Sequence, residues 1–192
     1  MHTKLIENIE YGIKYTGLEL SPHWIYKKFQ LQGDAIVAFC GECEVKLSEM
    51  VDIEDVINNE PIYSKNMLSF IVEHFNIALV EGIFRQRLLI TIIKESLENI
   101  LTPHASRFTL NRRGDDLFIN DKKLTVSIAT KSLTSVLIHV GINIDPSGAP
   151  VDAIGLNSLN ISNINEFAND VMLKYSQEID DIILASTKVT GR

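Results

Sequence analysis

The spacing of apolar side chains changes partway along the chain, and this change restricts the fold more than any other feature. From Ile77 to Leu101 apolar residues recur at intervals of three to five, which predicts a long amphipathic helix. Thr102-Pro103 is expected to end it. From Arg107 to Ile144 the spacing falls to two between turn residues, which predicts strands joined by hairpins.

The hairpin region determines the predicted fold class. Four short strands are predicted there, at Arg107 to Leu110, Asp115 to Ile119, Lys122 to Thr130 and Val136 to Ile144. Asp145-Pro146-Ser147-Gly148 is predicted as the turn that closes them. Because hairpins dominate, we expect an α+β fold with a mainly antiparallel, mixed sheet and helices packed on one face.

Shorter elements are predicted on both sides of this region. They are a helix at His23 to Phe29, a strand at Ala35 to Phe39, a helix at Lys65 to Phe75 capped by Ser64, a helix at Ile164 to Ile179 and an edge strand at Ile182 to Val189. No internal repeat, low-complexity tract or charged linker divides the chain. Residues 1–192 are therefore predicted to form a single domain.

Charge and hydropathy limit the classes of partner. The net charge of −7, without a long basic stretch, argues against nucleic acid as the main partner. No run of about 18 apolar residues is present, so no membrane partner is expected. Glu7 and Glu10 interrupt the first residues and argue against a signal peptide, so we expect a cytoplasmic protein.

Two cysteines, Cys40 and Cys43, have the spacing of a metal-binding pair. A zinc site needs four ligands, and no second pair of Cys or His residues at ligand spacing follows. The pair also lies in a strand-like stretch and does not open a helix, as a redox-active pair would. We expect no metal at these thiols.

The neighbouring lysines Lys122 and Lys123 provide the first candidate site. Side chains of successive strand residues face opposite sides, so one lysine should face solvent and the other the packed side of the sheet. A lysine on the packed side, with Asp116 on the other strand of the hairpin, could hold a phosphate, a carboxylate or a divalent ion. The alternative is a solvated hairpin with an ordinary cross-strand ion pair.

Three short motifs resemble the core of the biotin and lipoate protein ligases: Asp115-Asp116-Leu117, Lys122-Lys123-Leu124 and His139-Val140-Gly141-Ile142-Asn143. The resemblance implies a ligase-like catalytic domain with Lys123 and Asp116 as catalytic residues. It also implies cofactor contacts from Arg113, Asp115, His139 and Asn143, with ATP or an acyl-adenylate-like molecule as the ligand. No metal ligands are implied.

The chain also resembles the prokaryotic domain-of-unknown-function family 366 over most of its length, notably at Ser21-Pro22-His23-Trp24-Ile25-Tyr26 and Arg85-Gln86-Arg87-Leu88-Leu89. Compared with the ligases, it lacks a glycine-rich, arginine-bearing loop ahead of the lysine motif, and Val126 stands where they have a glycine. Three hypotheses stay open: a ligase-type enzyme binding a nucleotide or a carboxylate-bearing small molecule, a non-catalytic ligand-binding domain that has lost the adenylating loop, and a structural homodimer.

Overall fold

The structure, a computed structural model, describes residues 1–7, 12–102 and 107–191. The strands of the described residues are β1 (His2–Ile6), β2 (Ala35–Val45), β3 (Ile62–Phe75), β4 (Leu110–Arg113), β5 (Asp116–Ile119), β6 (Lys122–Lys123), β7 (Thr125–Lys131) and β8 (Ser135–Asp145). The helices are α1 (Trp24–Phe29), α2 (Ile53–Asn58), α3 (Leu79–Leu101) and α4 (Ile164–Ser186). None of these helices is long and apolar enough to cross a bilayer.

Five strands form the main sheet in the order β1-β2-β3-β8-β7. β1 runs parallel to β2, and the other neighbouring strands are antiparallel. β4, β5 and β6 form a smaller antiparallel sheet, whose hairpins bring Lys123 opposite Phe118. The predicted α+β fold with a mainly antiparallel, mixed sheet is confirmed.

The two long helices, α3 and α4, cover one face of the main sheet. Their buried side chains join those of the central strands in one apolar cluster, which includes Leu68, Phe70, Val72, Leu89, Ile93, Ile138, Val171 and Tyr175. Gly82 of α3 allows a close approach to β8, because a Cβ atom there would lie 2.3 Å from Cγ1 of Val136. Burial of these aliphatic and aromatic side chains is the main stabilising contribution at this face.

The opposite face carries a second apolar cluster and no long helix. Tyr15 and Leu20, from the segment that precedes α1, pack there together with Ile25 of α1. Their partners on the sheet include Phe39 of β2 and Met67 of β3. This face is therefore covered by short elements and loops, which leaves room for a cavity.

Three predicted elements are of the wrong type or displaced, and the single strand predicted at Lys122 to Thr130 is instead divided into β6 and β7, which lie in different sheets. Residues 65–75, predicted as a helix, belong to β3, and Ser64 is buried in that strand instead of capping a helix. β3 is central and buried on both faces, so its residues lack the alternation that marks a half-exposed strand. Ile182 to Val189, predicted as a strand, mostly continue α4, which ends at Ser186.

The third difference concerns β4, which spans Leu110–Arg113 and not Arg107 to Leu110. Arg113 pairs with Asp116 across the tight turn, in which Gly114 has a φ of 65°. This turn determines the register of the hairpin and moves the strand towards the glycine. The predicted stop at Pro103 lies outside the described residues, although α3 ends at Leu101.

Candidate functional site

A cavity of about 350 Å³ lies on the sheet face opposite α3 and α4. Met67, Ile128 and His139 line it from the main sheet, and Tyr15 lines it from the segment before α1. The connection between β2 and β3 (residues 46–61), which includes α2, and the loop that follows β8 complete its walls. The cavity is thus bounded by a rigid sheet on one side and by loops on the other.

Lys123 lines this cavity and forms an ion pair with Asp116, with 2.8 Å between Nζ and Oδ2. The two side chains are 32% and 21% exposed. Lys122 faces the other way: it is 49% exposed and lies 3.2 Å from Asp152. The alternation expected for the two lysines is therefore present. The backbone of Lys123 is held by hydrogen bonds from its own N–H to Asp152 O and from Ile154 N–H to its carbonyl.

Asp116 is the carboxylate in the most unusual environment of the site. Burial raises its pKa, and the ammonium of Lys123 opposes this effect without cancelling it. Its Oδ1 is buried and has no hydrogen-bond partner among the described residues, whereas Oδ2 accepts from Lys123. A buried acceptor without a donor costs about 1–3 kcal/mol, so this atom would gain from a donor.

The lining of the cavity is acidic. Lys123 is its only lysine or arginine among the described residues, and the carboxylates that line it are Glu49, Asp52, Asp55, Glu60, Asp115 and Asp116. Burial and the neighbouring Asp52 raise the pKa of Asp55. These groups therefore repel one another, and an anionic ligand can be held only where the ammonium of Lys123 compensates its charge.

His139 and Asn143 project from β8 on the cavity side. The His139 ring stacks on Tyr15 with 3.5 Å between ring centroids, and its Nε2 lies 3.3 Å from the Ser69 hydroxyl. Burial lowers the pKa of His139 to about 3, so the ring is neutral at pH 7. The Asn143 amide donates to the carbonyl of Lys123 at 3.5 Å. Between them lies Gly141, where a Cβ would come within 2.2 Å of Sδ of Met67.

Asp115 lines the cavity and is held from behind by α3. The Gln86 amide lies 2.8 Å from the Asp115 carboxylate and 2.7 Å from the Ser127 hydroxyl. The Ser127 hydroxyl is also within hydrogen-bond distance of the Asp115 carbonyl, at 2.9 Å. Sequence reasoning did not assign Gln86 to the site, although a glutamine on the apolar face of a predicted helix is a signal for it.

Five of the six sequence-predicted site residues line the cavity: Asp115, Asp116, Lys123, His139 and Asn143. The exception is Arg113, which is absent from the lining and 57% exposed. Its guanidinium forms an ion pair with Asp121 and lies 4.7 Å from the centroid of the Phe118 ring. The residues that sequence reasoning missed are mainly those of the β2–β3 connection, whose polar residues have no periodic pattern.

A second polar cluster, which we call the His74 network, lies within the contact between the sheet and the long helices. Asp34 Oδ2 lies 2.7 Å from His74 Nδ1, and the Tyr175 hydroxyl lies 2.8 Å from His74 Nε2. The Asp34 carboxylate only accepts, so we assign the ring proton to Nδ1; Arg85 Nη1, 2.9 Å from the same nitrogen, then contacts it without donating a hydrogen bond to it. Arg85 completes the network through Glu81, at 2.6 Å, and Asp34, at 3.7 Å.

Burial governs protonation in the His74 network. Burial lowers the pKa of His74, and the hydrogen bond to Asp34 only partly opposes this. For Asp34, burial raises the pKa, but hydrogen bonds from His74 and the Phe75 N–H outweigh it, so that the net direction is down. The Arg85 side chain is committed to this network and is not part of the cavity lining.

Within residues 1–7, 12–102 and 107–191, no group of three or more His, Cys, Asp or Glu side chains is arranged to hold a metal ion. Cys40 and Cys43 are free thiols in β2, and burial raises their pKa to about 11 and about 12. Both thiols are therefore protonated and weakly nucleophilic at pH 7.

Comparison with known proteins relates the chain to one family. A family model described as "Domain of unknown function (DUF366)" matches residues 4–190. An uncharacterized protein of Methanocaldococcus jannaschii is 40% identical over 176 residues, which are 88% of this chain and 77% of that protein. A solved protein of unknown function from Pyrococcus horikoshi is 37% identical and superposes with a TM-score of 0.89, covering 99% of each chain.

More distant solved structures share the fold. Biotin protein ligase from Aquifex aeolicus, in complex with biotin and ATP, is 14% identical, with a TM-score of 0.58 over 93% of this chain and 70% of that one. Lipoate-protein ligase A bound with ATP is also 14% identical, with a TM-score of 0.58 over 94% and 86%. At this identity the likeness concerns the fold alone, and the ligase-like fold expected from the motifs is confirmed.

Proposed function

The chain belongs to the DUF366 family, and on that premise we propose that it binds a small molecule bearing one carboxylate in the cavity beside Lys123. The observation that carries this proposal is the Lys123–Asp116 pair at the cavity wall. The ammonium of Lys123 has three N–H donors and donates one of them to Asp116, so the other two can donate to a ligand carboxylate. A charge-assisted contact of this kind contributes about 1.5–3 kcal/mol.

The body of the ligand would lie on the apolar part of the cavity. Met67, Val126 and Ile128 provide aliphatic surface there, and the stacked rings of Tyr15 and His139 provide a flat wall. A cavity of about 350 Å³ is at the lower end of the range for small-molecule sites. These features suit a short aliphatic chain or a small ring with an acid group at one end.

The charge of the lining favours a monocarboxylate over a nucleotide. Two unit charges 4 Å apart near a protein surface interact by about 4 kcal/mol. Six lining carboxylates against one ammonium would therefore repel a bare triphosphate far more than a single carboxylate. The ammonium of Lys123 offsets part of this repulsion for a ligand that presents a single carboxylate to it.

The distant neighbours support a carboxylate ligand without determining which one. One of them is a biotin protein ligase in complex with biotin, which is a carboxylic acid, and with ATP. The motif resemblance implies that Lys123 matches the catalytic lysine of such enzymes, which supports binding of an acid beside it.

Isothermal titration with octanoate, lipoate and biotin tests the proposal. We expect at least one of them to bind the wild type, and Lys123→Ala to weaken that binding by about tenfold or more. Lys122→Ala is the matched control: it removes the adjacent lysine, which does not line the cavity, and should leave affinity unchanged.

Two further arms keep the test decisive. The double variant Lys123→Ala/Asp116→Asn removes both charges of the pair, so loss of binding there cannot be attributed to an unpaired buried carboxylate. ATP, with and without Mg²⁺, is titrated in parallel. No heat from any acid at millimolar concentration, or equal weakening by Lys122→Ala and Lys123→Ala, would refute the proposal, and tight binding of ATP alone would favour the nucleotide hypothesis.

A further inference from the structure

Gln86 is a polar residue in an apolar contact. It lies in α3, the helix that packs on the main sheet, and is only 3% exposed. Its neighbours at the same face of the helix, Leu89, Ile90 and Ile93, are fully buried aliphatic residues. A buried amide is costly unless its hydrogen bonds are made, so its partners matter to the fold and to whatever they contact.

Both polar partners of the Gln86 amide also line the cavity. Nε2 donates to the Asp115 carboxylate at 2.8 Å and to the Ser127 hydroxyl at 2.7 Å. Asp115 lies in the β4–β5 turn of the small sheet, directly before β5, and Ser127 lies in β7 of the main sheet. The Gln86 side chain therefore joins the small hairpin to the edge of the main sheet at the cavity wall.

The position of Asp115 affects that of the next residue, Asp116. Gly114 sits in the turn with a φ of 65°, and Asp115 is held there by Gln86 on the α3 side. Asp115 is the last residue of the turn and directly precedes Asp116, so the contact of Asp115 with Gln86 fixes the backbone from which the Asp116 side chain reaches Lys123. Asp116 is indeed the partner of Lys123, at 2.8 Å.

We propose that Gln86 is a positioning residue for the cavity: by holding Asp115 and Ser127 it directs Asp116 onto Lys123. The inference rests on the proposed function only in taking this cavity as the ligand site. Gln86 itself need not touch a ligand, because it is absent from the described lining of the cavity.

The test compares two substitutions in α3. Gln86→Met keeps the length of the side chain and removes both N–H donors. Ser96→Ala is the matched control, because Ser96 is equally buried in the same helix but hydrogen-bonds Asp170 and Lys174, away from the cavity. If both variants lose similar stability, a difference at the cavity cannot be a general effect of loosening α3.

The readout is an NMR titration of the Asp116 carboxyl carbon in the ligand-free protein. In Gln86→Met we expect the pKa of Asp116 to differ from that of the wild type, because its burial, which raises the pKa, and its contact with Lys123, which lowers it, both depend on where the carboxyl is held. Ser96→Ala should titrate as the wild type does. If Gln86→Met does not fold, Ser127→Ala removes a partner of the same amide and should shift the pKa of Asp116 to a smaller extent.

An Asp116 titration that is the same in wild type, Gln86→Met and Ser127→Ala would overturn the inference, as would an equal change in Ser96→Ala. The outcome is independent of ligand binding, so it can be told apart from failure of the proposed function. If octanoate binds the wild type, Gln86→Met should weaken it about threefold or more, which corresponds to about 0.7 kcal/mol.

Discussion

The His74 network and the cavity beside Lys123 contain similar polar groups but differ in how many of those groups have hydrogen-bond partners. Each pairs buried carboxylates with a cation, and α3 contributes to both through neighbouring residues, Arg85 and Gln86. In the His74 network both ring nitrogens of the buried histidine have partners. At the cavity, Asp116 Oδ1 is buried without a partner among the described residues, beside space for a ligand.

This difference distinguishes a structural polar cluster from a candidate binding site. A buried polar group with all its hydrogen bonds made stabilises one arrangement and has nothing left to offer. An incomplete group next to a cavity is less stable by itself and can gain from a ligand. We therefore expect substitutions in the His74 network to change stability and those at the cavity to change binding.

The largest expected effect is that of Asp34→Ala. It leaves the His74 ring, the Arg85 guanidinium and the Phe75 N–H without their shared acceptor. Removing one partner of a buried charged cluster costs about 3–5 kcal/mol of unfolding free energy, measured by urea denaturation. The double variant Lys123→Ala/Asp116→Asn is the comparison, and a loss there as large as in Asp34→Ala would remove the distinction between the two regions.

Tyr175→Phe examines the same network with a smaller change. Removing the hydroxyl leaves His74 Nε2 buried without its partner, so we expect a loss of about 1–3 kcal/mol by urea denaturation. The ring still fills its place against the sheet, so no cavity forms. Affinity for octanoate should match the wild type, and weakened binding would mean that the network serves the cavity after all.

Gly141→Ala is expected to act in the opposite way. The added Cβ would lie within 2.2 Å of Met67 Sδ, which is a flexible side chain that can move. Met67 lines the cavity, so its displacement should weaken octanoate binding by about tenfold, while the free energy of unfolding falls by about 1–3 kcal/mol, the usual cost of an added methyl group in a packed interior. A loss of stability without any change in affinity would indicate that Gly141 matters only for packing.

The smallest expected effect is a difference in pH dependence between the regions. Because the pKa of His74 is lowered in the folded chain, the unfolded chain takes up a proton on this ring at a higher pH than the folded chain does. The free energy of unfolding therefore decreases as pH falls below 6.5. The raised pKa of Asp116 has the opposite sign, because its ionisation opposes folding as pH rises above 3.8.

Urea denaturation across this pH range checks both signs. The loss of unfolding free energy caused by His74→Gln, relative to the wild type, should become smaller as pH falls from about 7 to about 5. The unfolding free energy of Asp116→Asn should increase relative to the wild type as pH rises from about 4 to about 6. If the plots of unfolding free energy against pH for both variants run parallel to that of the wild type, His74 and Asp116 keep the same protonation in the folded and the unfolded chain.

The sequence predicted the elements that have one buried face and missed those without such a pattern. α3 was predicted within two residues of its start, and the alternation of Lys122 and Lys123, together with the ligase resemblance, predicted that Lys123 is the lysine that faces a pocket. The helix predicted at Lys65 to Phe75 was wrong, because the spacing of Leu68, Ile71 and Val72 fits a helix and a strand buried on both faces equally well. Gln86 and the β2–β3 connection depend on contacts between distant parts of the chain, which no local pattern encodes.

The most direct measurement of the central claim is an amide NMR titration of the wild type with octanoate, lipoate and biotin. We expect shifts concentrated at Lys123, Val126, Gly141 and Asn143, which line or flank the cavity, and none at His74 or Phe75 in the closed network. The predicted result is that the amide shifts at the cavity saturate in the wild type and in Lys122→Ala, and that Lys123→Ala shows no such shifts. Shifts centred on His74, or none with any of the three acids at about 10 mM, would contradict the assignment of this cavity as a carboxylate site.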